Sequence, residues 1–177
     1  LLSEADVIVY AGSLVNPALL DYKKDGCEVY NSAKMTLEEV IAVMAPAAKA
    51  GKTVVRLHTG DPCVYGAHRE QMDELDRLGL AYEVCPGVSS FCGAAAALKA
   101  EYTLPNVSQS VILTRMEGRT PVPEKEQIES FAAHGATMVI FLSAGQLARL
   151  SERLIAGGYA PDTPFCRWSC SSGMIFC

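Results

Sequence analysis

The chain has 177 residues, half of them apolar and a fifth charged, with a net charge of -5 at pH 7. That length allows one domain or two small ones with a real core. An acidic balance without a basic cluster disfavours a nucleic-acid partner, and no apolar run approaches the roughly 18–20 residues that cross a bilayer. The seven cysteines (Cys27, Cys63, Cys85, Cys92, Cys166, Cys170 and Cys177) contain no CxxC, and His58, His68 and His134 form no HxxxH. Free thiols in a reducing cytoplasm are therefore expected, with no metal centre and no secretory leader.

In chain order, residues 1–6 read as the end of a helix already under way. Residues 6–10 (DVIVY) form a short apolar run, a buried strand, and 27–30 a further strand. Thr36-Leu37-Glu38-Glu39 is a capping box that opens a helix to about Ala50, with Leu37, Val40, Ile41, Met44 and Ala48 on one face. Pro46 falls inside that pattern and is expected to kink or shorten the helix. Gly51 breaks it, and a β-branched-rich strand follows at 53–57. An amphipathic helix at 67–78 ends at Gly79, and 81–84 is expected to be the next strand. A small-residue helix spans 91–100 and must pack closely because it offers little bulk. A boundary is expected at 104–107, dividing a domain at 1–107 from one at 108–177. Beyond it come a strand at 110–114, a polar loop at 115–126, a helix near 127–133 and a strand at 137–142. Ser143 is expected to cap a helix at 146–156, which Gly157-Gly158 ends. Strand and helix alternate, the pattern of a parallel sheet covered on both faces. The last thirteen residues carry the only Trp and three cysteines without any period, and read as an atypical end.

The chemistry concentrates in loops that follow strands. Residues 59–66 read TGDPCVYG, directly after the strand at 53–57. Gly60 lets backbone approach a ligand, Pro62 rigidifies the turn, and Asp61 presents a carboxylate. On its own, Gly-Asp-Pro is equally an ordinary turn with a helix cap. Three similar loops, YAGSLVNP at 10–17, CPGVSSF at 85–91 and LSAG at 142–145, fall on the carboxyl side of strands, where open α/β proteins bind small molecules. Together they suit a mostly neutral, backbone-lined pocket for a nucleoside-type cofactor. A dinucleotide-binding module is disfavoured, since GxGxxG is absent.

These blocks have a known counterpart. TGDPCVYG, PGVSSF and FLSAG resemble the motifs of the tetrapyrrole (corrin/porphyrin) methylases, and LPNVSQSVILTRMEGRTPVPE resembles the precorrin-4 carbon-11 methyltransferase branch of cobalamin biosynthesis. The likeness runs from Leu1 to about Pro164. It implies an α/β fold of two αβα domains (a class III methyltransferase), S-adenosylmethionine in the cleft between them, and a cytoplasmic homodimer. By matching motif, Thr59, Gly60, Asp61, Val64, Ser89, Ser90 and Leu142 would surround the cofactor. Two departures stand out. The family's opening strand and Gly-Pro-Gly-Asp-Pro loop have no match here, and FCRWSCSSG replaces a closing block. The chain alone is therefore expected to be inactive.

The substrate implied is a tetrapyrrole rimmed with carboxylates, which an acidic protein holds through local cations. Arg115 and Arg119 flank Gly118 in the diagnostic loop, and Arg forks match carboxylates; His58 and Arg69, with Arg56 and His68, lie beside the Gly-Asp-Pro loop. Methyl transfer from a sulfonium needs alignment more than a strong base, and Tyr10, Tyr65 and Asp61 are the polar groups placed to orient the substrate or help remove its proton. The alternatives are a sibling tetrapyrrole methylase, such as a uroporphyrinogen or other precorrin enzyme, and a non-catalytic remnant. Cobalt-bearing and cobalt-free substrates are not distinguished.

Overall fold

The computed structural model describes residues 1–12, 15–118 and 120–167. The elements are β1 (Val7–Tyr10), β2 (Glu28–Asn31), α1 (Leu37–Lys49), β3 (Val54–Leu57), α2 (Arg69–Arg77), α3 (Ser90–Leu98), β4 (Val111–Arg115), α4 (Ile128–Ala132), β5 (Thr137–Phe141) and α5 (Leu147–Ala156), with short 3-10 turns between some of them. Two compact units divide the chain, Leu1–Gly93 and a second beginning at Ala94. Among the described residues no helix is long and apolar enough to cross a membrane.

In the first unit a parallel sheet runs in the order β2-β1-β3. Val7 lies opposite Glu28 and Val54, and Tyr10 opposite Asn31 and Leu57. β1 takes the middle because Val7, Ile8 and Val9 are apolar without alternation and can be buried on both faces. Val7 and Val9 pack on Val40, Ile41, Met44 and Ala45 of α1, with Leu75 of α2 beside them; burying each such aliphatic side chain stabilises by about 1.5–3 kcal/mol.

Helix ends follow their sequence signals closely. Thr36 Oγ1 accepts from the Glu39 amide at 3.3 Å, and the Glu39 carboxylate accepts from the Thr36 amide at 2.8 Å, completing the capping box. α1 and α2 both stop in a glycine at positive φ, Gly51 at 75° and Gly79 at 66°. The next amides fold back, Lys52 N–H to the Ala47 carbonyl and Leu80 N–H to the Leu75 carbonyl, satisfying acceptors the helix leaves open.

The second unit contains the parallel pair β4-β5, with Val111 opposite Thr137 and Arg115 opposite Phe141. Met116, Ile128 and Leu150 form its buried centre, joined by Met138 and Ile140.

Two expectations are corrected, those for residues 81–84 and for Ser143. Residues 81–84 form no strand: β3 pairs with β1 alone among the described strands, and without a ladder partner the apolar-polar pattern has nothing to bond. Pro46 does not end α1, which continues to Lys49; near the carboxyl end it removes one backbone donor, and its own carbonyl still accepts from Ala50. Ser143 does not cap α5 with its side chain. Gln146 is at the cap position, and the Ser143 hydroxyl instead donates to the Phe141 carbonyl at 2.8 Å and accepts from the Met116 amide at 3.1 Å, tying the ends of β4 and β5. The second compact unit begins at Ala94. Residues 104–108 form a bridged turn whose Ser108 hydroxyl accepts from the Thr137 amide, which binds that stretch to β5.

Candidate functional site

The loop after β3 is built around Asp61. Its carboxylate accepts from the Cys63 amide at 2.8 Å within its own turn and from the Gly87 amide at 3.0 Å, twenty-six positions away in sequence. The first bond makes a local Asx-type turn; the second staples loop 59–66 to loop 85–90. Both amide bonds, Cys63 first, hold the Asp61 carboxyl below the usual carboxylate range. The staple works because two glycines meet. A Cβ on Gly87 would stand 2.0 Å from the Gly60 carbonyl oxygen, and Gly60, at φ 64°, lies against Val88, Ser89 and Ser90. Thr59, Gly60, Asp61, Ser89 and Ser90 are thus gathered by contact between the two loops, with Ser89 buried and Ser90 opening α3. Val64 closes the same turn, its amide donating to the Asp61 carbonyl. Beyond it Tyr65 is exposed at a positive φ of 56°, a costly conformation for an aromatic residue. The Cys63 thiol is pushed up by Asp61 and by burial, so it stays protonated.

Two polar atoms stand at the start of the loop. His58 Nε2 and Thr59 Oγ1 are both buried and have no hydrogen-bond partner among the described residues. The His58 ring stands edge-on to His68, centroids 6.0 Å apart. Burial first, then the charge of Arg56 and His68, lowers the His58 pKa to about 4, so the imidazole is neutral near pH 7. Arg56, two residues earlier and half-buried, donates from Nη1 to the Val9 and Leu57 carbonyls and from Nε to Gln71 Oε1.

Tyr10 ends β1 half-buried, and its carbonyl accepts from the Ser32 hydroxyl. Arg69 is exposed on the first turn of α2 and ion-paired to Asp73. Leu142 and Arg115 belong to the second unit. Leu142 is exposed, 71% of its surface open, at a φ of 55°. Arg115 donates to three carbonyls of its own loop, those of Met116, Thr120 and Pro121. Arg119 and the tail from residue 168 lie outside the described residues.

Sequence reading missed the device that holds the diagnostic loop. Arg153 of α5, only 12% exposed, binds both oxygens of Glu117 at 2.6–2.7 Å and also pairs with Glu129 of α4, while Arg149 pairs with Glu117 from the same helix. Arg153 lowers both carboxyl pKa values, and its own is raised in turn. A charged residue on the inner side of an amphipathic helix was the available signal. It needed partners from two other elements to be read.

The sequence profile of the tetrapyrrole (corrin/porphyrin) methylases matches residues 1–168. A cobalt-precorrin-4 C(11)-methyltransferase of Methanocaldococcus jannaschii is 57% identical over 163 residues, covering 92% of this chain and 63% of that protein. A precorrin-4 C(11)-methyltransferase of Mycobacterium tuberculosis is 44% identical, covering 93% of this chain and 66% of that protein. Among solved structures, a cobalt precorrin-4 methyltransferase superimposes with a TM-score of 0.86 at 47% identity, over 90% of this chain and 66% of the other. A uroporphyrin-III C-methyltransferase of Thermus thermophilus, in complex with S-adenosylhomocysteine, superimposes with a TM-score of 0.70 at 26% identity, over 90% and 64%. The chain spans a little under two thirds of the length of these relatives.

Proposed function

Because the chain belongs to the tetrapyrrole (corrin/porphyrin) methylases, we propose that it serves S-adenosylmethionine-dependent methylation of carbon 11 of precorrin-4 or cobalt-precorrin-4 in corrin biosynthesis. The observation that carries this reading is the pair of orphaned buried atoms, His58 Nε2 and Thr59 Oγ1, next to two loops closed on each other by Asp61. Buried polar atoms without partners are costly in a native protein, and a ligand with its own donors and acceptors satisfies them. The names of the relatives specify the chemistry.

Thr59, Gly60, Asp61, Val64, Ser89 and Ser90, with Leu142 from the second unit, would hold the cofactor. When bound, it supplies a methyl group activated on a sulfonium. The protein's part is alignment, which alone contributes about 7–11 kcal/mol in favourable cases. Asp61 acts here mainly by fixing loop geometry. Tyr10 and Tyr65 orient the acceptor ring from the ends of β1 and of the 59–66 loop. His58, neutral by virtue of burial, has a free nitrogen that can accept a proton. Arg69 and Arg119 would supply cations toward substrate carboxylates, and Arg115 shapes its own loop through the Met116, Thr120 and Pro121 carbonyls. A cytoplasmic homodimer completes the reading, in keeping with the free thiols at Cys27, Cys63, Cys85, Cys92 and Cys166.

Calorimetry with S-adenosylhomocysteine tests the cofactor site: binding by the wild type and weaker binding by Asp61→Ala are expected. Label transfer from methyl-labelled S-adenosylmethionine to precorrin-4 and cobalt-precorrin-4, in the complete gene product, tests the reaction. Transfer to uroporphyrinogen III in preference to either would overturn the substrate assignment.

A further inference from the structure

A cavity of about 220 Å³ opens on the α1–α2 side of the first unit, walled by Ser32, Thr36, Arg56, Glu70 and Gln71 among others. It lies at the carboxyl ends of β1 and β2, since Ser32 follows β2 directly and bonds the last carbonyl of β1. Arg56 enters its wall from β3, in register with Val9.

Arg56 is the unusual member. A guanidinium has five N–H donors. Here Nε bonds Gln71 and Nη1 bonds the Val9 and Leu57 carbonyls, whereas Nη2 has no acceptor among the described residues. No carboxylate neutralises the charge. None of the ion pairs among the described residues includes Arg56, and Glu70, on the same wall, is exposed and does not reach it. Burial lowers the Arg56 pKa with no opposing carboxylate. A half-buried cation without a counter-ion is costly. Gln71 adds a second donor: its Oε1 is held by Arg56 and one Nε2 proton by the Ala67 carbonyl, which leaves the other Nε2 proton free. Ser32 gives its hydroxyl proton to the Tyr10 carbonyl and Thr36 accepts from the Glu39 amide, so Arg56 Nη2 and Gln71 Nε2 are the nitrogen donors open to a ligand.

We propose that this cavity is a carboxylate pocket, in which Arg56 Nη2 and Gln71 Nε2 grip one acid group of a ligand bound at the carboxyl edge of the sheet. The inference rests on the methyl-transfer reading above and goes further by naming the anchor. The acid group has two sources, an acid side chain of the tetrapyrrole or the amino-acid end of the cofactor. Geometry favours the tetrapyrrole, because the cavity is walled from the segment after β2, from α1, β3 and α2, and does not include the 59–61 turn.

The test compares the wild type with Arg56→Gln, Arg56→Lys and Gln71→Glu. The last gives Arg56 an internal counter-ion and keeps the side-chain volume, so it separates loss of the anchor from loss of folding. Uroporphyrin III binding is read by fluorescence quenching and S-adenosylhomocysteine binding by calorimetry. Arg56→Gln and Gln71→Glu should weaken uroporphyrin by about tenfold or more, the worth of a charge-assisted hydrogen bond, and leave S-adenosylhomocysteine unchanged; Arg56→Lys should recover part of the loss. Weakened S-adenosylhomocysteine with unchanged uroporphyrin would keep the carboxylate pocket and reassign its acid group to the cofactor. If neither ligand weakens in either variant, the pocket is wrong and the methyl-transfer reading still stands. A wild type that binds S-adenosylhomocysteine but no tetrapyrrole acid would overturn the substrate reading and the pocket's assignment to it together.

Discussion

Replacing Gly87 by Ala probes the contact on which the candidate site depends. The added Cβ would sit 2.0 Å from the Gly60 carbonyl oxygen and 3.0 Å from its carbon. Both obstacles are backbone, so neither can rotate aside. Reaching an ordinary separation of about 3.4 Å requires the two loops to part by about 1.4 Å. That shift exceeds what the 3.0 Å bond from the Gly87 amide to Asp61 can tolerate, so the staple opens. Overpacking of this kind costs about 1–3 kcal/mol. Because 85–88 is exposed and lies outside any helix or strand, most of the strain should be relieved by loop displacement, and binding should suffer more than folding. Calorimetry should show S-adenosylhomocysteine affinity falling by about ten- to a hundredfold, since the charge-assisted bond that shapes the site is lost, with the urea midpoint moving modestly. Gly145→Ala, which meets nothing within 4 Å, is the matched control. Wild-type affinity in Gly87→Ala would mean that the loops need not touch for the ligand to bind.

Arg153→Met should destabilise the second unit by about 2–4 kcal/mol, since it strands Glu117 and Glu129 beside a largely buried position; an unchanged urea midpoint would refute this. The same pair predicts an acid limb. Arg153 depresses both carboxyl pKa values, so their stabilisation is present above the unfolded value of about 4.5 and is lost as pH falls through the folded ones; in Arg153→Met that part of the pH-stability curve should flatten. His58 should titrate near 4 by NMR. Its folded pKa lies below 6.5, so the unfolded state takes the proton first and stability falls as pH drops from about 6.5 to about 4. His58→Gln should remove that slope, and a midpoint near 6.5 in the wild type would show the ring to be solvated.

Much of the fold was readable because its signals are local. The capping box at Thr36 and Glu39, the glycines at 51 and 79 and the apolar run of β1 each act within a few residues, and each appears as expected. What escaped depends on distant partners. Residues 81–84 carry a strand-like pattern, but a strand exists only by its ladder, and among the described residues none forms there. Ser143 is a good cap residue by type, yet its hydroxyl is taken by Phe141 and Met116 once β4 and β5 pair. Asp61 was legible as a loop carboxylate, whereas its bond to Gly87 requires two loops to meet. Nothing in the sequence distance announces that.

The charged residues separate by task on a single physical criterion, whether the protein already satisfies their polar atoms. Asp61 has its carboxylate on two backbone amides, Arg115 its guanidinium on three carbonyls, and Arg153 its fork on two glutamates. A loop that must leave room for a ligand cannot be fixed by a packed core. These groups fix it instead, and removing one moves the loop before it removes any ligand contact. His58, Thr59 and Arg56 are the opposite case. All three lie on β3 or within two residues of its end, and each keeps a nitrogen or oxygen without a partner among the described residues. Substitutions in the first group should therefore change loop geometry and affinity together, with loss for every ligand. Substitutions at His58, Thr59 and Arg56 should discriminate between ligands, because each orphaned atom can be satisfied by only one partner.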